Sequence, residues 1–143
     1  MLINTSIEKA HYFAELIDQH ADFELVTQPE LCLLTYRYNP ASVQALLAKA
    51  DDTEQENING LLDKLTKFVQ KRQRENGKSF VSRTRIEVQK YQGRKTLVFR
   101  VVLANPLTSK EILQEVLAAQ TLLAQESETF LPRLLSMAKA VTV

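Results

Sequence analysis

Apolar positions along the chain fall into two alternating rhythms, one helical and one extended. Ile7, Ala10, Phe13, Ala14 and Ile17 recur at helical spacing and predict a helix over about residues 7–20, with Thr5 and Glu8 at capping-box spacing before it. Residues 23–27 then read as a short strand, interrupted at Gln28-Pro29-Glu30, and residues 31–38 as a second strand closed by Asn39-Pro40. Their proximity predicts a hairpin. Ser42 opens a short helix through Ala48, whereas the acidic run 51–56 has no apolar period and reads as a solvated surface loop. Ile58, Leu61, Leu62, Leu65, Phe68 and Val69 form the stripe of the next helix, which Asn76-Gly77 ends as a C-cap. Residues 79–88 alternate at period two, with Phe80, Ser82, Thr84, Ile86 and Val88 on one face and Val81, Arg83, Arg85 and Glu87 on the other. A polar turn over 89–95 leads into the strand-like run 96–104, which Asn105-Pro106 stops. Thr108 and Glu111 have capping-box spacing before a helix carrying Ile112, Leu113, Val116 and Leu117, and a further short helix occupies the tail.

This order of elements, two hairpins separated by helices, predicts an α+β fold. The sheet is antiparallel or mixed, of about four strands, with helices packed on one face. The chain has 143 residues, 45% of them hydrophobic and 24% charged, which suits a single domain spanning 1–143 with its core over about 7–124 and a helical tail over 125–143. No run approaches the ~20 apolar residues of a membrane span, and the first ten residues lack the pattern of a signal peptide, so a cytoplasmic location is expected.

The net charge of +1 conceals an uneven distribution: residues 1–62 are net −7 and residues 63–100 net +9. Such a positive block could steer a nucleic acid or a small anionic partner, or serve only solubility. Three isolated glycines (Gly60, Gly77 and Gly93) leave no place for a phosphate-binding loop or a dinucleotide fingerprint. The single Cys32 reads as a small buried hydrophobe in its strand, and His11 and His20 as surface or boundary residues; no metal-ligand spacing is present. Arg83 and Arg85 read as members of a solvated face, with Glu87 as their counter-charge. The informative residue is Arg100, which interrupts an apolar strand. It is either an edge-strand arginine reaching into solvent or a guanidinium held where water is scarce and matched to an anion.

Three stretches carry a resemblance to a known family: the hairpin from Phe23-Glu-Leu-Val to Tyr36-Arg-Tyr-Asn-Pro40, the segment Gly77-Lys-Ser-Phe-Val-Ser-Arg-Thr-Arg-Ile86, and Leu97-Val-Phe-Arg-Val-Val-Leu-Ala-Asn-Pro-Leu-Thr108. In this order they resemble the C-terminal small domain of group II pyridoxal-phosphate-dependent amino-acid decarboxylases, the glutamate and diaminobutyrate type included. The resemblance implies a domain that closes the active site of a cytoplasmic, homodimeric lyase and places Arg100 on a substrate carboxylate. It also implies that this chain alone holds no cofactor and is inactive, because pyridoxal phosphate is bound by a large domain through a lysine following histidine. Here His11 precedes Tyr12 and His20 precedes Ala21. The competing expectation is a free-standing basic α+β module that binds nucleic acid or another anionic partner.

Overall fold

Burial of one stripe per helix and one face of the sheet organises the chain, as seen in a computed structural model that describes residues 2–75, 81–103 and 108–142. Helix α1 (Leu2–Gln19) turns Ala10, Phe13, Ala14 and Ile17 inward. Its first turn lies ahead of the expected Thr5 cap, so Thr5 and Glu8 are within the helix and do not open it. Strands β1 (Phe23–Glu30) and β2 (Leu33–Tyr38) form the first hairpin. Gln28-Pro29 does not end β1, because proline is tolerated on an edge strand, where its missing N–H removes no ladder bond. Cys32 consequently lies in the connecting turn, half-buried, and not inside a strand.

Helix α2 (Ala41–Lys49) follows Pro40, which suits a helix start through its fixed φ, and Asp22 Oδ1 accepts the Ala41 N–H at 3.0 Å. Helix α3 (Asp52–Glu75) absorbs the acidic run that sequence pattern assigns to a loop. Carboxylates favour the positive end of a helix, and Asp51 Oδ1 accepts the Glu54 N–H at 2.8 Å, so the run forms a capped first turn despite its lack of apolar period. Beyond it Ile58, Leu61, Leu62, Leu65 and Val69 are buried. The expected glycine cap at 76–77 and the residues Phe80 and Asn105-Pro106 lie outside the described residues.

Strand β3 (Val81–Val88) runs through a single 3-10 turn (Gln89–Tyr91) into β4 (Arg94–Val102). The turn closes with Gln92 and Gly93 at φ of 55° and 75°, a left-handed pair in which glycine costs nothing. Helix α4 (Lys110–Gln125) is capped by Ser109, whose Oγ accepts the Ile112 N–H at 3.3 Å, one residue beyond the Thr108 expected from the sequence. Helix α5 (Phe130–Thr142) buries Leu131, Leu134 and Ala138.

The four strands form one antiparallel sheet in the order β1-β2-β4-β3, so the class is α+β. The second hairpin therefore adds to the sheet through β4, leaving β1 and β3 as edges. Tyr36 of β2 and Phe99 of β4 are paired in register and pack with Phe13 and Phe23 on the helix-bearing side. At the centre of that core, Tyr36 Oη donates to Gln120 Oε1 at 2.8 Å and Gln120 Nε2 donates to Gln73 Oε1 at 3.2 Å. This chain ties β2, α4 and α3 together. Tyr36→Phe leaves the Gln120 carbonyl without its donor and is expected to cost about 1–3 kcal/mol in a urea unfolding experiment.

Candidate functional site

Alternation along the strands assigns the residues of the sheet's other face. With Tyr36 and Phe99 facing the helices, Thr35 and Arg37 of β2 and Val98, Arg100 and Val102 of β4 face outward. The register aligns Thr27, Thr35, Arg100 and Ser82 as one row across all four strands. Thr27 and Thr35 hydroxyls lie 2.8 Å apart, and Ser82 Oγ donates to the Arg100 carbonyl at 3.3 Å. Arg100 is exposed in this row and has no carboxylate partner among the described residues. Neither sequence alternative describes it fully. β4 is an internal strand, so Arg100 is not an edge arginine, and its side chain is hydrated, not starved of water.

The neighbouring row carries a buried charge cluster. Arg37 is completely buried; its Nε donates to Glu24 Oε1 at 2.6 Å and its Nη2 to Tyr91 Oη at 3.0 Å. Tyr91 Oη donates in turn to Glu24 Oε2 at 2.7 Å, and Asn39 Nδ2 to Glu24 Oε1 at 3.0 Å. Burial alone would raise the Glu24 carboxyl, but the Arg37 guanidinium, with the Tyr91 and Asn39 hydrogen bonds, outweighs it and brings the pKa down to about 2. Burial also pushes the Tyr91 phenol above its ordinary value, and the Glu24 carboxylate adds to that rise against the opposing Arg37 charge. Sequence reasoning missed this cluster. The signal was available: a hairpin pairing Phe23 with Tyr38 sets Glu24 beside Arg37 on one face.

Part of the basic block of 63–100 is taken up by internal pairings. Arg94 binds Glu56 at 2.7 Å and Asp63 at 3.0 Å, and Arg85 reaches Asp63 at 3.3 Å. Arg83 Nη1 donates to Gln70 Oε1 at 3.1 Å. Arg83 and Arg85 thus lie on the side of α3; Arg85 remains exposed, as expected of a solvated face, but its counter-charge is Asp63 of α3 and not Glu87, and Arg83 is bound by the neutral Gln70. Phe99 is fully buried, so it offers no ring for stacking a base. His11 is exposed and His20 half-buried, its Nδ1 accepting the Asp22 N–H at 3.1 Å. Among the described residues no group of three His, Cys, Asp or Glu side chains could hold a metal ion, and no helix is long and apolar enough to cross a membrane.

No protein-family model matches the chain. Among curated proteins it is 63% identical over 134 residues to an aspartate 1-decarboxylase of Aliivibrio fischeri, a match covering 94% of this chain and 24% of that protein. The chain thus spans about a quarter of the length of the curated relative it matches. Among solved structures it is similar to mouse CSAD, with a TM-score of 0.70 at 22% identity over 88% of this chain and 24% of that one. It is also similar to the glutamate decarboxylase domain of a Vibrio parahaemolyticus diaminobutyrate-pyruvate transaminase and L-2,4-diaminobutyrate decarboxylase, with a TM-score of 0.64 at 18% identity, covering 88% and 22% of the two chains. Oryza sativa TDC, solved with PLP and tryptamine, gives a TM-score of 0.61 at 18% identity, covering 87% and 23%. The likenesses to solved structures show a shared fold.

The curated relative corrects the functional expectation. An aspartate 1-decarboxylase at 63% identity overturns the reading of this chain as the inactive closing domain of a pyridoxal-phosphate decarboxylase of the glutamate or diaminobutyrate type. The same relative overturns the expected pyridoxal-phosphate cofactor and the expectation of a C-terminal domain. The physical reason lies in what the matching stretches encode. The 23–40 hairpin and the 97–108 segment are strand-and-turn patterns that specify a fold, and a fold does not fix substrate or cofactor.

Proposed function

We propose that this chain serves an amino-acid decarboxylase acting on aspartate, and that Arg100 binds the carboxylate which the reaction leaves in place. The observation that carries the residue assignment is a guanidinium standing exposed and without a carboxylate partner among the described residues, on the sheet face opposite Tyr36 and Phe99. The 63% identity to an aspartate 1-decarboxylase supports the substrate class.

The chemistry assigned to these residues is recognition. A guanidinium meets a carboxylate through two parallel N–H···O bonds, which fix the orientation of the ligand as well as its position. β4, held between β2 and β3, gives Arg100 a rigid base, and the Ser82 hydroxyl on its carbonyl adds a further tie. Binding the distant carboxylate in one orientation helps to place the departing one for reaction. The electrons left when carbon dioxide departs need a sink, and Arg100, Thr35 and Ser82 do not supply one.

Arg100→Ala, made in the protein expressed from its complete reading frame, is expected to lower kcat/KM for L-aspartate on the order of 10- to 100-fold, mostly through KM, as loss of a charge-assisted pair predicts. Arg100→Lys should recover part of that loss. Unchanged kinetics in Arg100→Ala, with the folded state intact by circular dichroism, would remove Arg100 from substrate binding.

A further inference from the structure

The two hairpins separate below the centre of the sheet. The β2–β4 ladder runs from Leu33 and Val102 to Tyr36 and Phe99 and stops there, whereas β3 and β4 stay paired as far as Val88 and Arg94. Residues 84–98 therefore form a two-stranded overhang with no third strand beside it. Such a ribbon is marginally stable by itself in water, so other groups must hold it against the body of the protein. Among the described residues, the contiguous apolar core takes in Phe99 and Val101 of β4 and Tyr91 at the tip, but not Leu97 or Val98 between them.

Two carboxylates supply that hold, one from α3 and one from β1. Asp63 Oδ1 accepts the Leu97 N–H at 3.0 Å, in the place of the missing strand, and its Oδ2 lies 3.0 Å from Arg94 and 3.3 Å from Arg85. On the other side Tyr91 Oη donates to Glu24 Oε2 at 2.7 Å and accepts from Arg37 Nη2 at 3.0 Å. Beyond that clasp a cleft of about 360 Å³ separates Leu25, Val26 and Thr27 of β1 from Ile86 and Val88 of β3. Apolar packing across this gap is therefore sparse, and the polar clasps carry the attachment.

We propose that residues 84–98 form a flap, clasped by Glu24 through Tyr91 and by Asp63, which opens about the Tyr36–Phe99 end of the ladder while the rest of the sheet stays closed. Opening undoes the two clasps and leaves most of the core intact, so its free energy lies below that of global unfolding. It widens the cleft and uncovers Thr96 and Val98, which are fully buried when the flap is shut. Arg100 lies on the closed side of the hinge, paired with Thr35, and keeps its place. Thr27 of its row lines the cleft, so the opening enlarges the space at one end of that row. The flap stands on the ladder and the clasps, and does not depend on Arg100 binding a substrate.

The test is native-state amide hydrogen exchange of the ¹⁵N-labelled protein, as wild type, Tyr91→Phe and Tyr36→Phe. In the wild type, the protected amides of residues 84–98, Leu97 among them, should exchange through an opening of lower free energy and weaker urea dependence than those of Leu34, Tyr36 and Val101. Tyr91→Phe removes only the hydroxyl that joins Glu24 to Arg37, and should speed exchange across 84–98 on the order of 10-fold. Tyr36→Phe breaks a contact that survives in the open state, so it should speed exchange at Leu34 and Val101 but not in the flap. One shared opening free energy for flap and core in the wild type overturns the proposal without recourse to any variant. Flap amides that respond to Tyr36→Phe as the core does, or that ignore Tyr91→Phe, overturn it as well. The expected exchange pattern alongside unaltered Arg100→Ala kinetics upholds the flap and sinks the Arg100 reading alone.

Discussion

Glu24→Gln lowers the stability of this protein by about 3–5 kcal/mol at neutral pH, because it leaves the Arg37 guanidinium buried without its counter-charge. The same carboxylate makes stability depend on acid. Its pKa is about 2 in the folded chain against an ordinary 4.5, so the unfolded chain binds its proton first as pH falls. The contribution is complete above about pH 5 and is lost between there and pH 2. A depression of that size corresponds to about 3 kcal/mol. Urea unfolding of the wild type across this range should show the loss, and Glu24→Gln should lack that part of the pH dependence. Pairing Glu24→Leu with Arg37→Met is expected to restore much of the stability at neutral pH, since replacing both members of a buried pair removes the unmatched charge. A pH-independent difference between Glu24→Gln and wild type would show that the carboxylate does not stabilise through its charge.

Phe99→Ala is expected to cost about 3–5 kcal/mol, because the ring is fully buried and its removal leaves a cavity in the core. Its ring lies tilted at 5.3 Å from Tyr36, which itself meets Phe13 edge-on at 5.4 Å and Phe23 at 5.9 Å. These rings join β1, β2, β4 and α1, so the loss falls on the contact between sheet and helices. Phe99→Leu keeps most of the volume and should cost much less. Equal costs for the alanine and leucine variants would mean that aromatic geometry, and not filled volume, holds this layer.

Most of the architecture could be read from apolar periodicity. The stripes of α1, α3 and α4 specify both the elements and the faces they bury, whereas the alternation of β3 specifies the strand but not its face, since Arg83 and Arg85 share the side of Phe99 and Leu97. The failures have local causes. The acidic run 51–56 looks like a loop to any hydrophobic-period argument, yet it begins α3 because carboxylates suit a helix N-terminus and Arg94 bridges Glu56 and Asp63. β1 passes through Pro29 because it is an edge strand, a position fixed only by the long-range order β1-β2-β4-β3.

The site was half legible. An arginine interrupting an apolar strand marked Arg100, but its exposure depends on which sheet face lies opposite Tyr36 and Phe99. The same logic applied to Arg37, between Tyr36 and Tyr38, would have found the buried cluster; its partner Glu24 becomes apparent only once the hairpin register is known. Substrate and cofactor were beyond strand-and-turn motifs. The likeness to solved chains at 18–22% identity reports a shared fold.

The central claim is tested most directly by isotope release from labelled aspartate. With the protein expressed from its complete reading frame, L-aspartate labelled with ¹³C at position 1 should yield labelled carbon dioxide, while label at position 4 stays in the product. Arg100→Ala should slow that release at low substrate concentration. No release from either label, or release unaffected by Arg100→Ala at every concentration, would contradict the account.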